Sequence, residues 1–113
     1  MKKYERIKFE EMSNLFPNNT GLPVTLWISS KSGREKHQAR IKATTNDGEL
    51  SISIFGQPEI KKIKGKIKLS SYQIRKILNF IKIHQKTLLD HWNAKIDSIT
   101  FGNKIKNELN KEK

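Results

Sequence analysis

Apolar residues recur at every second position along three successive stretches of the first half of the chain. Val24, Leu26 and Ile28 share one parity, with Thr25, Trp27 and Ser29 on the other. His37, Ala39, Ile41 and Ala43 alternate with Gln38, Arg40, Lys42 and Thr44, and Leu50, Ile52 and Ile54 alternate with Ser51, Ser53 and Phe55. A period of two is the signature of strands with one buried face. The stretches are separated by a turn at Lys31-Ser32-Gly33-Arg34 and by Asn46-Asp47-Gly48, in which Asp-Gly tolerates the positive φ of a tight hairpin. The pattern predicts an antiparallel meander over residues 22–30, 36–45 and 50–55. Pro23 marks a strand entry or an edge.

Gly56-Gln57-Pro58 closes the third strand, and residues 59–69 alternate again from position 62. Lys62, Lys64, Lys66 and Lys68 fall on one side and Ile63, Gly65, Ile67 and Leu69 on the other. The strict alternation and Gly65 favour a strand over the competing helical spacing of Ile60, Ile63 and Ile67. Ser70-Ser71-Tyr72-Gln73 fits a capping box, with Ser70 as N-cap and Gln73 three residues on. It predicts a long helix over residues 71–94, with an apolar stripe of Ile74, Ile77, Leu78, Ile81, Leu88, Leu89 and Trp92. His84 and Gln85 interrupt that stripe. At the N-terminus the residues are mixed, and any helix around residues 8–15 is expected to end before Pro17. Asp97 to Phe101 read as a short final strand or a packed tail.

The expected fold is therefore α+β: a three- to four-stranded antiparallel sheet packed on one long C-terminal helix. It forms one domain over residues 1–102, with a polar tail, frayed helix or disordered, over 103–113. Val24, Leu26, Ile28, Ile41, Ile52, Ile54, Ile77, Leu78, Ile81, Leu88 and Trp92 form most of the expected core. An open sheet of this size leaves edges that invite a second copy or a partner chain.

Length and composition narrow the function classes. A chain of 113 residues accommodates one core. The absence of cysteine excludes disulfides, thiol catalysis and thiolate-bound zinc, and fits a cytoplasmic protein. No apolar run is long enough to span a membrane, and no apolar segment follows the basic residues at the N-terminus as in a secretory signal. The formal charge of +12 points to a polyanionic or acidic partner. Lysines outnumber arginines 19 to 4, and abundant Lys, Ile and Asn are also what an AT-rich genome favours. Residues 57–95, however, hold ten basic and two acidic groups, net +8, so the charge is concentrated in one third of the chain. Lysine acts as a hydrated point charge where arginine gives planar, two-pronged recognition, so such a surface suits attraction with little base readout.

Lys62, Lys64, Lys66 and Lys68 would repeat at about 6.7 Å along a strand, a pitch suited to a phosphate backbone or an acidic protein surface. The bland counterpart is an edge strand guarded against aggregation. Arg75, Lys82 and Lys86 on the helix would extend the patch. Of the three histidines, His84 and His91 are separated by about 10.5 Å along a helix and do not share a metal by themselves. No metal-ligand spacing and no cofactor motif stands out, so neither is expected. No nucleophile elbow or phosphate loop occurs. His37, beside Arg40 and Lys42, and His84 are the candidates for acid–base cleavage of RNA. Trp27, opposite the apolar parity of its strand, is a candidate to meet a partner or a base.

The order of strands, the Gly-bearing turn and the helix run Ile81-Lys82-Ile83-His84-Gln85-Lys86-Thr87-Leu88-Leu89-Asp90-His91-Trp92 resemble a small bacterial domain of unknown function, number four-one-six-zero. His84, Leu88, Leu89 and Trp92 carry the likeness, which covers roughly residues 22–94. That family usually shows a Pro-His-x-His-type segment where this chain has Lys36-His37-Gln38-Ala39-Arg40. The resemblance implies a β-meander followed by a helix, in a toxin–antitoxin-like or mobile-element neighbourhood. Three functions are then expected in order: a basic module binding nucleic acid or an acidic protein partner through the lysine-rich face, a ribonuclease-type toxin using His37 or His84, and an inhibitor blocking a host or defence factor.

Overall fold

A computed structural model describes residues 12–29, 39–93 and 95–111. Its five strands are β1 (Met12–Leu15), β2 (Thr25–Ser29), β3 (Arg40–Thr45), β4 (Gly48–Ser53) and β5 (Ile60–Gly65). They lie in sequence order, each antiparallel to the next. The α+β class matches expectation, with one more strand than the sequence suggested. The addition is β1, in a mixed stretch for which the sequence left room for a helix. Its four residues pair with β2 in the register Asn14 to Trp27 and Leu15 to Leu26. A single turn of helix, α1 (Pro17–Thr20), follows it and ends on Gly21 at φ 81°.

Burial follows the parity read from the sequence. Leu26 faces Ala43, Ala43 faces Leu50, and Ile41 faces Ile52 across the strands. With Val24, Ile28, Ala39 and Ile54, these residues make the sheet's half of the core. The β3–β4 hairpin turns at Asn46-Asp47, and beside that turn two glycines pair, Gly48 of β4 and Gly65 of β5. A Cβ on Gly48 would run into the Lys64 carbonyl oxygen, and one on Gly65 would lie 2.6 Å from the Asp47 carbonyl oxygen. Gly65 also sits at φ 77°, a conformation that costs other residues roughly 1–2 kcal/mol. The alternating run therefore stops there: β5 holds Lys62 and Lys64, whereas Lys66 and Lys68 lie in the following loop.

The capping box forms as its spacing predicts. Ser70 Oγ accepts from the Gln73 N–H at 3.1 Å, while Gln73 Oε1 accepts from the Ser70 N–H at 2.9 Å. The expected single helix is instead two, α2 (Ser71–Ile83) and α3 (Gln85–Trp92). They meet at His84, whose backbone at φ −101°, ψ 18° departs from the helix. Gln85 fastens the start of α3 to the sheet by donating to the carbonyls of Ile54 and Gly56.

A third helix, α4 (Ser98–Lys111), occupies the segment expected as a strand or packed tail followed by a polar tail. Phe101 and Ile105 are fully buried and Leu109 packs partly against the same core, three residues at four-residue spacing. Asp97 caps α4: its carboxylate accepts from the Thr100 N–H at 2.7 Å and its carbonyl from the Phe101 N–H at 2.9 Å. Of the expected core, Leu78 and Trp92 are partly buried and the others fully. Leu15, Leu22, Ala39, Ala43, Leu50, Phe80, Phe101 and Ile105 complete it. Among the described residues, α2, α3 and α4 all contribute to the core on one side of the sheet, and no helix lies on the other.

Candidate nucleic-acid interface

The side of the sheet away from the helices is polar and basic. Strand pairing lays Trp27, Lys42, Ser51 and Lys62 in one row across four strands. Thr25, Thr44, Glu49 and Lys64 form the next row. Arg40 shares this face through its alternation with Ile41, opposite Ser53. Of these cations, Lys42 and Lys64 stand beside the one carboxylate of the two rows, Glu49. Lys42 Nζ and Glu49 Oε2 are 3.9 Å apart, a loose and partly exposed pair. Arg40 Nε is buried and has no hydrogen-bond partner among the described residues. The Trp27 indole N–H donates to Thr44 Oγ1 at 2.9 Å, which fixes the half-buried ring on the sheet. Trp27, Lys42, Thr44 and Glu49 line a notch of about 270 Å³.

The seven basic residues singled out in the sequence do not share one surface. Lys62 and Lys64 project from the open face. A bulge between Ser51 and Ile52 of β4 accommodates the extra residue Lys61 in β5. Together the bulge and the lysines give β5 the features of a guarded edge. Lys66 and Lys68 are exposed in the loop past Gly65. Arg75, Lys82 and Lys86 are exposed on α2 and α3, in the layer that covers the opposite face. Two of these three are already engaged: Lys82 Nζ donates to the Gly56 carbonyl at 3.4 Å, and Lys86 Nζ pairs with Asp90 at 3.1 Å. Sequence reasoning missed Arg40, Lys42 and Glu49 as members of a common face. Their shared parity with Trp27 was visible in the alternation, but the pairing of β4 with β5 that adds Lys62 and Lys64 was not.

The catalytic candidates fare differently. His37 lies outside the described residues. His84 is 2 % exposed, its ring 4.4 Å from that of Phe80. Its Nδ1 stands 2.6 Å from Glu108 Oε1, and because a carboxylate only accepts, the histidine donates. Thr87 Oγ1 donates to the other oxygen, Oε2, at 2.6 Å. His91, also buried, lies 3.3 Å by Nε2 from Ser98 Oγ and against the Phe101 ring at 4.8 Å. His84, at the α2–α3 junction, and His91, on α3, therefore tie these helices to α4, one near each of its ends. Such enclosed imidazoles hold helices together and offer no approach to a substrate. Among the described residues, no three His, Asp or Glu side chains gather closely enough to hold a metal ion. None of the described helices is long and apolar enough to cross a membrane.

A larger cleft of about 460 Å³ separates β1 and α1 from α4. Four asparagines (Asn14, Asn18, Asn19 and Asn110) and Lys106 rim a floor of Leu15, Ile105 and Leu109. It has no acid–base or nucleophilic grouping.

The sequence profile of one family, a domain of unknown function designated DUF4160, matches residues 25–93. That is more than half of the chain. The chain belongs to DUF4160. The DUF4160 segment runs from the first residue of β2 to the end of α3, and so contains the rows of the open face and both buried histidines. The strand β1 and the helix α4, which completes the histidine contacts, lie outside it. No curated protein and no solved structure matches the chain.

Proposed function

We propose that this DUF4160 chain is a non-enzymatic binding module that docks nucleic acid on the open face of its sheet. The observation that supports this reading is that Arg40, Lys42, Lys62 and Lys64 share with a fixed tryptophan, which neighbours Lys42, a face that no described helix covers. Lys42 and Lys62 lie two strands apart in one row, about 9.6 Å, and Lys62 and Lys64 one face repeat apart along β5, about 6.7 Å, so that several can meet one phosphate chain. Lysine supplies attraction without base identity, so this part of the contact is sequence-tolerant. The setting that goes with the reading is a toxin–antitoxin or mobile-element system within the cell, for which an adjacent small reading frame would be the sign. The ribonuclease reading loses its described candidate, because His84 is enclosed and committed to Glu108.

The test is the salt dependence of binding to a single-stranded oligonucleotide. Each phosphate contact adds roughly 0.7 to the slope of log affinity against log salt for single strands. Binding should weaken steeply with salt, and Lys42→Gln, Lys62→Gln and Lys64→Gln should each reduce the slope. Salt-insensitive capture of one protein would instead favour an inhibitor, and cleavage of the RNA on incubation would overturn the non-enzymatic reading.

A further inference from the structure

We infer that the notch between Trp27 and Glu49 is a subsite for one unstacked nucleobase that carries an exocyclic amine: cytosine, adenine or guanine rather than uracil or thymine. The inference rests on the reading that nucleic acid docks on this face, and names what the centre of the face recognises.

Three features carry it. The first is a fixed aromatic surface. The Trp27 ring is half-buried and held by its 2.9 Å hydrogen bond to Thr44, so little side-chain entropy remains to be lost when a base stacks on it. The second is the Glu49 carboxylate, which lies in the same notch and keeps 28 % of its side-chain surface exposed. A carboxylate only accepts hydrogen bonds. The amine of cytosine, adenine or guanine can donate to it, whereas the one ring donor of uracil and thymine, N3–H, lies between two carbonyls, so that a carboxylate accepting from it meets their oxygens. The third is the ring of cations. Lys42 stands beside the notch, Lys64 is paired with Glu49 across the strands, and Lys62 is two strands from Lys42 in its row. They can hold the phosphates on either side of a base placed in the notch.

The same features separate this occupant from an acidic peptide. A peptide carboxylate drawn in by the lysines would meet Glu49 at the centre, and the tryptophan face would find no matching group. They also separate single strands from duplexes, whose bases are paired and stacked and cannot enter a notch of about 270 Å³.

The chain has two tryptophans, so Trp92→Phe leaves Trp27 as the only indole reporter. This variant is titrated with oligocytidylate, oligouridylate and a duplex of equal length at matched ionic strength. Oligocytidylate should quench Trp27 fluorescence to saturation and bind about fivefold more tightly than oligouridylate, as one base-edge contact provides. The duplex should bind without quenching. Glu49→Gln removes a negative charge and adds an amide donor. It should tighten both oligonucleotides and bring their ratio to about one. Where Trp92→Phe does not fold, the unsubstituted protein and Trp27→Phe are compared, and the quench should be present in the first and absent from the second. Salt-sensitive binding with equal affinity for the two oligonucleotides, or without a Trp27 quench, overturns the subsite and leaves the docking face standing. No salt-sensitive binding to any of the three overturns the docking face and the subsite with it.

Discussion

On the helix side of the sheet, Leu26, Ala43 and Leu50 follow one another across paired strands; one residue along, Trp27, Lys42, Ser51 and Lys62 cross on the open side. Both rows hang on the same hydrogen-bonded ladder. The first is constrained by volume, because Leu, Ala and Leu must fit beneath Ile77, Ile81 and Leu88 without leaving gaps. The second has no such ceiling among the described residues, and its side chains are held by one another or by water. The covered face therefore fixes the register, and the register in turn places the charges of the open face. A slip of one residue would exchange the two sets and could not be tolerated. Chemistry on the open side can consequently vary while the fold stays fixed, which is where a recognition surface is free to arise.

Substitutions can break or sharpen that contrast. The largest effect is expected under the helices. Phe101→Ala empties a fully buried ring site between α4 and the rest of the core and should lower stability by about 3–5 kcal/mol in chemical denaturation. A loss below about 1 kcal/mol would mean that α4 is not part of the core. Next is Glu108→Ala, which removes the acceptor of both His84 and Thr87. Leaving two such donors without their partner should cost about 1–3 kcal/mol, and the Glu108→Gln variant, which keeps an acceptor oxygen, should cost less. On the open face the order reverses. Lys62→Gln combined with Lys64→Gln should move stability by no more than about 0.5 kcal/mol, yet reduce the salt slope of oligonucleotide binding by about 1–2. The triple change Arg75→Gln, Lys82→Gln, Lys86→Gln should leave that slope nearly unchanged. Equal losses from both sets would erase the distinction between the two sides.

The smallest effect concerns acidity. Hydrogen bonds from Thr100, its backbone N–H foremost, hold the Asp97 carboxyl below its ordinary value of 3.8. The folded state thus binds that proton less readily than the unfolded chain. The stabilisation is present above pH 3.8 and fades as the pH falls through the depressed folded value. The stability gap between the native chain and Asp97→Asn should accordingly narrow below pH 3.8 in acid titrations followed by circular dichroism. A gap that widened on acidification would show that this carboxylate does not cap α4.

The parts legible in the sequence are those whose signal is local. The alternation of Val24, Leu26 and Ile28, of Ala39, Ile41 and Ala43, and of Leu50, Ile52 and Ile54 gave three strands and their buried face. Ser70 and Gln73 gave the start of α2. Lost to view were features made by distant pairing. β1 is only four residues and is defined by its ladder to β2 rather than by a pattern of its own. α4 is mostly polar, and its apolar residues Phe101, Ile105 and Leu109 are too few to announce a packed helix. The break at His84 coincides with a partner, Glu108, that lies 24 residues away. The lysine run was visible, but its continuity was not testable locally, since Gly65 ends the strand through a contact with the facing hairpin. Trp27, Arg40 and Lys42 were legible as outward residues, and their union with Glu49, Lys62 and Lys64 required the sheet order.

The cleft between β1, α1 and α4 has a bearing on what counts as one module. Its walls come from opposite ends of the chain, and both lie outside the stretch by which the family is recognised. The recognised stretch is therefore smaller than the folding unit. A fusion or transplant bounded at residues 25 and 93 would carry His84 and His91 without their partners Glu108 and Ser98 on α4. Moving this domain as an independent part requires both flanks to travel with it.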